Sequence, residues 1–124
     1  MKYTEDFDLT TEEVKAAERI AKSLTKNCIG KKNAVHRDVL IEKLASAKNS
    51  FHTDKVKLFE IMQYIRVHQL CGSVIESNQS YYISEDTEEI KQYCLYLESR
   101  IFDIKRIQAA LWPKISMFET NNKQ

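Results

Sequence analysis

Apolar side chains fall at two different spacings along this chain, and the change from one to the other predicts its elements. Val14, Ala17, Ala21 and Leu24 recur at three- and four-residue intervals, the spacing of one helix face. Val39, Leu40, Ile41 and Leu44 mark a second helix opening at His36 or Asp38, and Leu58, Phe59, Ile61, Met62 and Ile65 mark a third. The period then shortens. Val74-Ile75 and Tyr81-Tyr82-Ile83 form two β-prone runs around a turn at Asn78-Gln79, and Ala34-Val35 reads as a very short further strand. Beyond them Ile90, Leu97, Ile104 and Leu111 repeat every seven residues, with Cys94 and Ile101 four beyond the first two, which predicts a long helix with a heptad stripe.

Boundary residues sharpen this outline. Thr10 and Glu13 predict a capping box for the first helix, and Asp86-Thr87-Glu88-Glu89 predicts another for the last. Thr53 is placed to cap the third helix, with Asp54 in its first turn. Ile29 to Asn33 reads as a turn and Phe51 as an apolar anchor in a polar connection. Gly72 supplies a positive-φ residue to end the third helix, and Pro113 is expected to stop the last one. The expected organisation is a polar lead-in at residues 1–10, a compact domain at 11–84, a long helix for packing or dimerisation at 85–113 and a flexible tail at 114–124. The order helix, strand, helix, turn, helix, strand, strand is that of a winged helix-turn-helix. The expected class is therefore mainly α with a small β-hairpin (α+β), plus a long C-terminal helix.

Composition narrows the function classes. The chain has 124 residues, enough for one modest core and an appended element. Gly and Pro, two and one, are scarce, which agrees with a mostly helical fold. No apolar run is long enough for a bilayer, and the start MKYTEDFDLT is too acidic and polar for a signal peptide, so a cytoplasmic protein is expected. The 19 Lys and Arg nearly balance 18 Asp and Glu, so bulk charge gives no support to phosphate binding and any basic face comes from uneven distribution. Lys22, Lys26, Lys31, Lys32, His36 and Arg37 do gather in one segment. Cys28, Cys71 and Cys94 lack a CxxC pair and are expected as reduced, buried apolar groups. The dispersed His and Cys argue against a zinc site, and no phosphate loop, nucleophile elbow or acid–base pair suggests an enzyme or a cofactor.

From about Lys57 to Ala110 the chain resembles the small winged-helix proteins of bacteriophages and prophages. The residues that carry the resemblance are Tyr64-Ile65-Arg66, Gly72, Ile75-Glu76-Ser77, Ser80-Tyr81-Tyr82-Ile83, Ser84-Glu85-Asp86 and Leu97-Glu98-Ser99-Arg100-Ile101. Ser80 stands where that family has Gly, and the wing tip lacks the basic residues of many DNA readers. The resemblance implies duplex DNA binding in a transcription-regulating or replication role, in a bacterial or phage-infected cell.

The candidate contacts follow from that fold. Thr53, Lys55 and Lys57, with Glu60 beside them, are expected on the outer face of the third helix, opposite Leu58, Phe59, Met62 and Ile65; base edges are met by the first turns of this helix. Lys31, Lys32, His36 and Arg37, around the start of the second helix, are placed for backbone phosphates, and Asn78 and Gln79 for a minor groove. Each also has a plainer reading as a solvated face or a turn residue. Of Tyr81 and Tyr82, one is expected in the core and the other outside. Ile90, Cys94, Leu97, Ile101, Ile104 and Leu111 are the candidate homodimer seam. Near-zero net charge, Glu76 beside the wing and the acidic opening of the last helix favour an alternative: an adaptor on the same fold that binds a host or phage protein instead of DNA.

Overall fold

A computed structural model describes residues 7–48 and 50–122; among them the chain forms four α-helices, one 3₁₀ turn and three short strands. In order these are α1 (Thr11–Asn27), the 3₁₀ turn Lys31–Asn33, β1 (Val35–His36), α2 (Arg37–Ser46), α3 (Lys55–Val67), β2 (Ser73–Ser77), β3 (Ser80–Ser84) and α4 (Thr87–Asn122). The chain divides into a unit ending at Ile90 and a helical unit from Lys91 onward. The first unit has winged-helix order, and the α+β class expected from the sequence holds.

Its core is set by the helical spacings. Ala16, Ala17, Ile20, Ala21 and Leu24 of α1 meet Leu40 and Leu44 of α2 and Leu58, Ile61, Met62 and Ile65 of α3, all of them buried. Val39 and Phe59 were expected inside but are exposed, because each lies a step round its helix from the buried row. Leu9 packs on this core, and the Phe7 ring stands edge-on to Tyr64 at 5.6 Å, so the lead-in is tied down from Phe7 onward. Residues 1–6 lie outside the described residues.

The sheet order is β1-β3-β2, antiparallel throughout. Val74 opposes Ile83 on the face that joins the core, and Ile75 opposes Tyr82 on the other. Both tyrosines are nonetheless buried, which corrects the expected split. The second face is covered in its turn: Tyr82 donates its hydroxyl proton to Glu89 at 2.8 Å, and Ser84 donates to the same carboxylate at 2.5 Å. Glu89 is thus spent on the sheet rather than on a reciprocal capping box, and Asp86 alone caps α4 by accepting from the Glu88 and Glu89 amides.

The Ser84 hydrogen bond first, and the Tyr82 one second, hold the Glu89 carboxyl below its ordinary range. A depressed folded value means that the ionised form stabilises the fold. This contribution is complete above the unfolded carboxylate value, about pH 4.3, and is lost as pH falls through the folded value. Thermal melts taken through this acid range should show wild type losing stability more steeply than Glu89→Gln. Equal slopes would mean that the carboxylate contributes nothing.

The helix ends depart from expectation in instructive ways. Thr10 and Glu13 form the expected box, at 3.1 and 2.8 Å. Asp54, not Thr53, caps α3 by accepting from the Lys57 amide at 2.8 Å. At the other end the Leu70 amide bonds the Ile65 carbonyl at 3.1 Å, and the residue in the left-handed region is Gln69 (φ 53°). Gly72 is needed for space instead: a Cβ there would stand 2.9 Å from Ile83 Cγ2. Finally, α4 continues through Pro113 to Asn122, so residues 114–122 are helix and not a loose tail. Proline forfeits one backbone bond inside a helix, a cost of about 3 kcal/mol. The exposed Ala109-Ala110-Leu111 and Lys114 around it are strong helix formers that carry the helix past it.

Candidate nucleic-acid interface

The tip of the hairpin is two residues long, with Ser77 opposite Ser80. Asn78 and Gln79 both have positive φ, 53° and 67°, which is the primed turn that matches strand twist. Asn tolerates this region and Gln does so at a cost. Gln79→Gly relieves a left-handed backbone cost of about 1–2 kcal/mol and gives back part of it in the entropy of the unfolded glycine, so the unit should be modestly stabilised, seen as a higher urea midpoint with an unchanged slope. A lower midpoint would show that the Gln79 side chain has a structural role of its own.

The Gln79 carbonyl accepts from the Arg37 amide at 2.9 Å, which fastens the tip to the start of α2. His36 pairs with Ser80 across β1 and β3, and its Nδ1 accepts from the Asp38 amide at 3.1 Å as the α2 cap. That ring nitrogen is occupied by the fold. The preceding loop is fixed to β3 by two bonds of 2.8 Å, Gly30 N–H to the Ile83 carbonyl and Ile83 N–H to the Cys28 carbonyl. Gly30 has φ 88° and ψ 151°, a conformation essentially restricted to glycine. Lys31 and Lys32 follow on the 3₁₀ turn, both exposed. His36 and Arg37 therefore meet Ser80 and Gln79 at the tip end of the hairpin, next to Asn78, whereas Lys31 and Lys32 follow Gly30 beside Ile83, towards the other end of β3.

The start of α3 is a different surface. Thr53, Asp54, Lys55 and Val56 line an open groove of about 690 Å³ with Asp38, Ile41 and Glu42 of α2. Three carboxylates face one ammonium there, and Val56 is 81% exposed with Phe59 at 50% beyond it. Lys57 is not on this face. Its ammonium lies 2.8 Å from Glu60 and 3.8 Å from Glu13 of α1. The Glu60 hydrogen bond, then the Glu13, Glu60 and Asp8 charges, outweigh desolvation and hold its pKa above the ordinary lysine value. Residues two apart on a helix point to opposite sides, so Lys55 and Lys57 cannot act as the pair expected from the sequence. Reading the sequence missed Val56 and Phe59; their three-residue spacing off the core row was the available signal.

On α4 the seam candidates stand uncovered from Cys94 onward. Leu97, Ile101, Ile104 and Leu111 are exposed, whereas Ile90 is half-buried and belongs to the first unit. Cys94 is an exposed thiol, against expectation. Cys28 is buried and Cys71 half-buried, and burial raises the pKa of both. Among the described residues no helix is long and apolar enough to cross a membrane. Comparisons with known protein families, with curated proteins and with solved structures find no match to this chain.

Proposed function

We propose that the first unit binds duplex DNA through its wing edge, and that the protein acts in the cytoplasm as a homodimeric, phage-type transcription regulator or replication accessory. The observation that carries the reading is the junction of Arg37 with the Asn78-Gln79 tip, with Lys31 and Lys32 exposed on the turn that leads into β1 of the same sheet. Cations held beside a wing are suited to phosphate oxygens, and the tip amides to sugar or base edges in a minor groove. Lys55 is the one remaining α3 lysine on the outward face, and Lys57 leaves the contact set because Glu60 and Glu13 hold it.

Fluorescence anisotropy of a labelled mixed-sequence duplex tests this at low and moderate salt. Binding that weakens as salt rises is the expected result, because each phosphate contact releases counterions. Absence of binding at low salt overturns the reading.

A second reading is favoured by one specific observation, the Asp38, Glu42 and Asp54 carboxylates set around the exposed Val56. That groove suits a basic, apolar protein segment better than a phosphate. As an adaptor, the protein would ignore DNA and lose its partner on Val56→Asp, with Lys31 and Lys32 dispensable.

A further inference from the structure

From Cys94 to Thr120 every side chain of α4 is exposed. Leu97, Ile104, Leu111 and Phe118 recur every seven residues, and Cys94, Ile101, Gln108 and Ile115 each lie three positions before them. In heptad terms the second set occupies a and the first occupies d, the two rows of a coiled-coil seam. An apolar stripe of this length needs a cover of matching periodicity.

We propose that the cover is a second copy of α4, and that the two copies pair in parallel and in register from Cys94 to Phe118. This rests on the reading of α4 as the assembly helix and adds its orientation. The first argument is side-chain shape. Branched Ile101 and Ile115 at a, with Leu97 and Leu111 at two of the four d positions, favour two parallel strands, against Ile104 at a third.

The second argument is Gln108. In a parallel, in-register pair the a residues meet their own copies, so the amide of Gln108 lies beside the partner's Gln108 and each supplies what the other lacks. In an antiparallel pair a residues meet d residues. Gln108 would then face Ile104 or Leu111 and be buried without a polar partner.

The third argument is charge along the flanks. In parallel, Lys114 faces the partner's Glu119 and Ile107 faces the partner's Trp112, an ion pair and an apolar pair, set against one like-charge contact between Arg100 and the partner's Lys105. Antiparallel pairing over the same span sets Arg100 against the partner's Lys114 at both ends and Lys105 against itself, with Lys91 against the partner's Glu119 in compensation. Pro113 falls at the heptad position farthest from the seam, where no partner helix approaches. Parallel pairing also brings both chains into the helix pair from the same end.

The test uses the full chain with Cys28→Ala and Cys71→Ala, so that Cys94 is the remaining thiol. Sedimentation measures assembly, and diamide measures orientation: two Cys94 thiols lose two protons and two electrons to diamide, which becomes the hydrazine, and an S–S bond forms. The expected result is a dimer that converts to a covalent dimer, and loses both properties on Leu97→Asp with Ile104→Asp. Antiparallel chains hold the two Cys94 residues about 36 Å apart, 24 residues at 1.5 Å each. A dimer that does not cross-link therefore overturns the orientation while leaving dimerisation intact. A monomer overturns both, and cross-linking that survives the Asp variant shows collision and overturns the pairing. DNA is absent from every arm, so failure of DNA binding is read separately.

Discussion

Replacing Ile61 by Ala should lower the stability of the winged-helix unit by about 2–5 kcal/mol. Ile61 is fully buried at the middle of α3, among buried Leu58, Met62 and Ile65 and the α1 row. The loss combines the transfer free energy of the deleted methyl and methylene groups with the contacts left unmade around the cavity. A small domain holds a margin of about 5–15 kcal/mol, so a large share disappears through one residue. Val56→Ala is the matched control on the same helix. At 81% exposure it should change stability by less than about 0.5 kcal/mol. Urea unfolding of both variants checks the pair. Equal effects would mean that α3 presents a different face to the core.

The second large effect concerns binding. Changing Lys31, Lys32 and Arg37 together to Ala should weaken duplex binding and flatten its salt dependence. If all three neutralise phosphates, the slope of log affinity against log salt falls by about 2.7, at 0.9 per contact. Lys31→Ala with Lys32→Ala should leave the urea midpoint close to wild type, because both lysines are exposed, whereas Arg37 is half-buried with its Nε shielded from solvent and its truncation also removes packing. Lys57→Ala should act the other way round. It breaks the Glu60 and Glu13 contacts and leaves the salt slope unchanged. An unchanged slope in the triple variant would remove the wing edge from the interface.

How legible all this was in the sequence depended on the range of the interactions involved. Elements with strong local signals could be read directly. The α3 row Leu58, Ile61, Met62 and Ile65, the Thr10–Glu13 box and the two-residue turn at Asn78-Gln79 all stand where spacing and cap chemistry predict. Features decided by a distant partner could not. Tyr82 is buried with its hydroxyl satisfied by Glu89, seven residues on, and Lys57 is held on its flank by Glu13 of another helix. Gly72 suggested a helix end, whereas the space that makes it glycine is set by Ile83 across the sheet. Pro113 suggested a stop, yet the strong helix formers around it outweigh its local cost. Of the candidate contacts, His36 and Arg37 lie with the Asn78-Gln79 tip and Lys31 and Lys32 on the turn before β1, while the α3 set divides between an acidic groove and an ion-paired flank.

The most direct test of the wing-edge account is an amide-shift map of the ¹⁵N-labelled protein titrated with a mixed-sequence duplex. The account predicts that the amides of Lys31, Lys32, Arg37, Asn78 and Gln79 move together and saturate at one DNA concentration. Shifts confined to Thr53, Lys55, Val56 and Phe59, or no shifts at all, would contradict it.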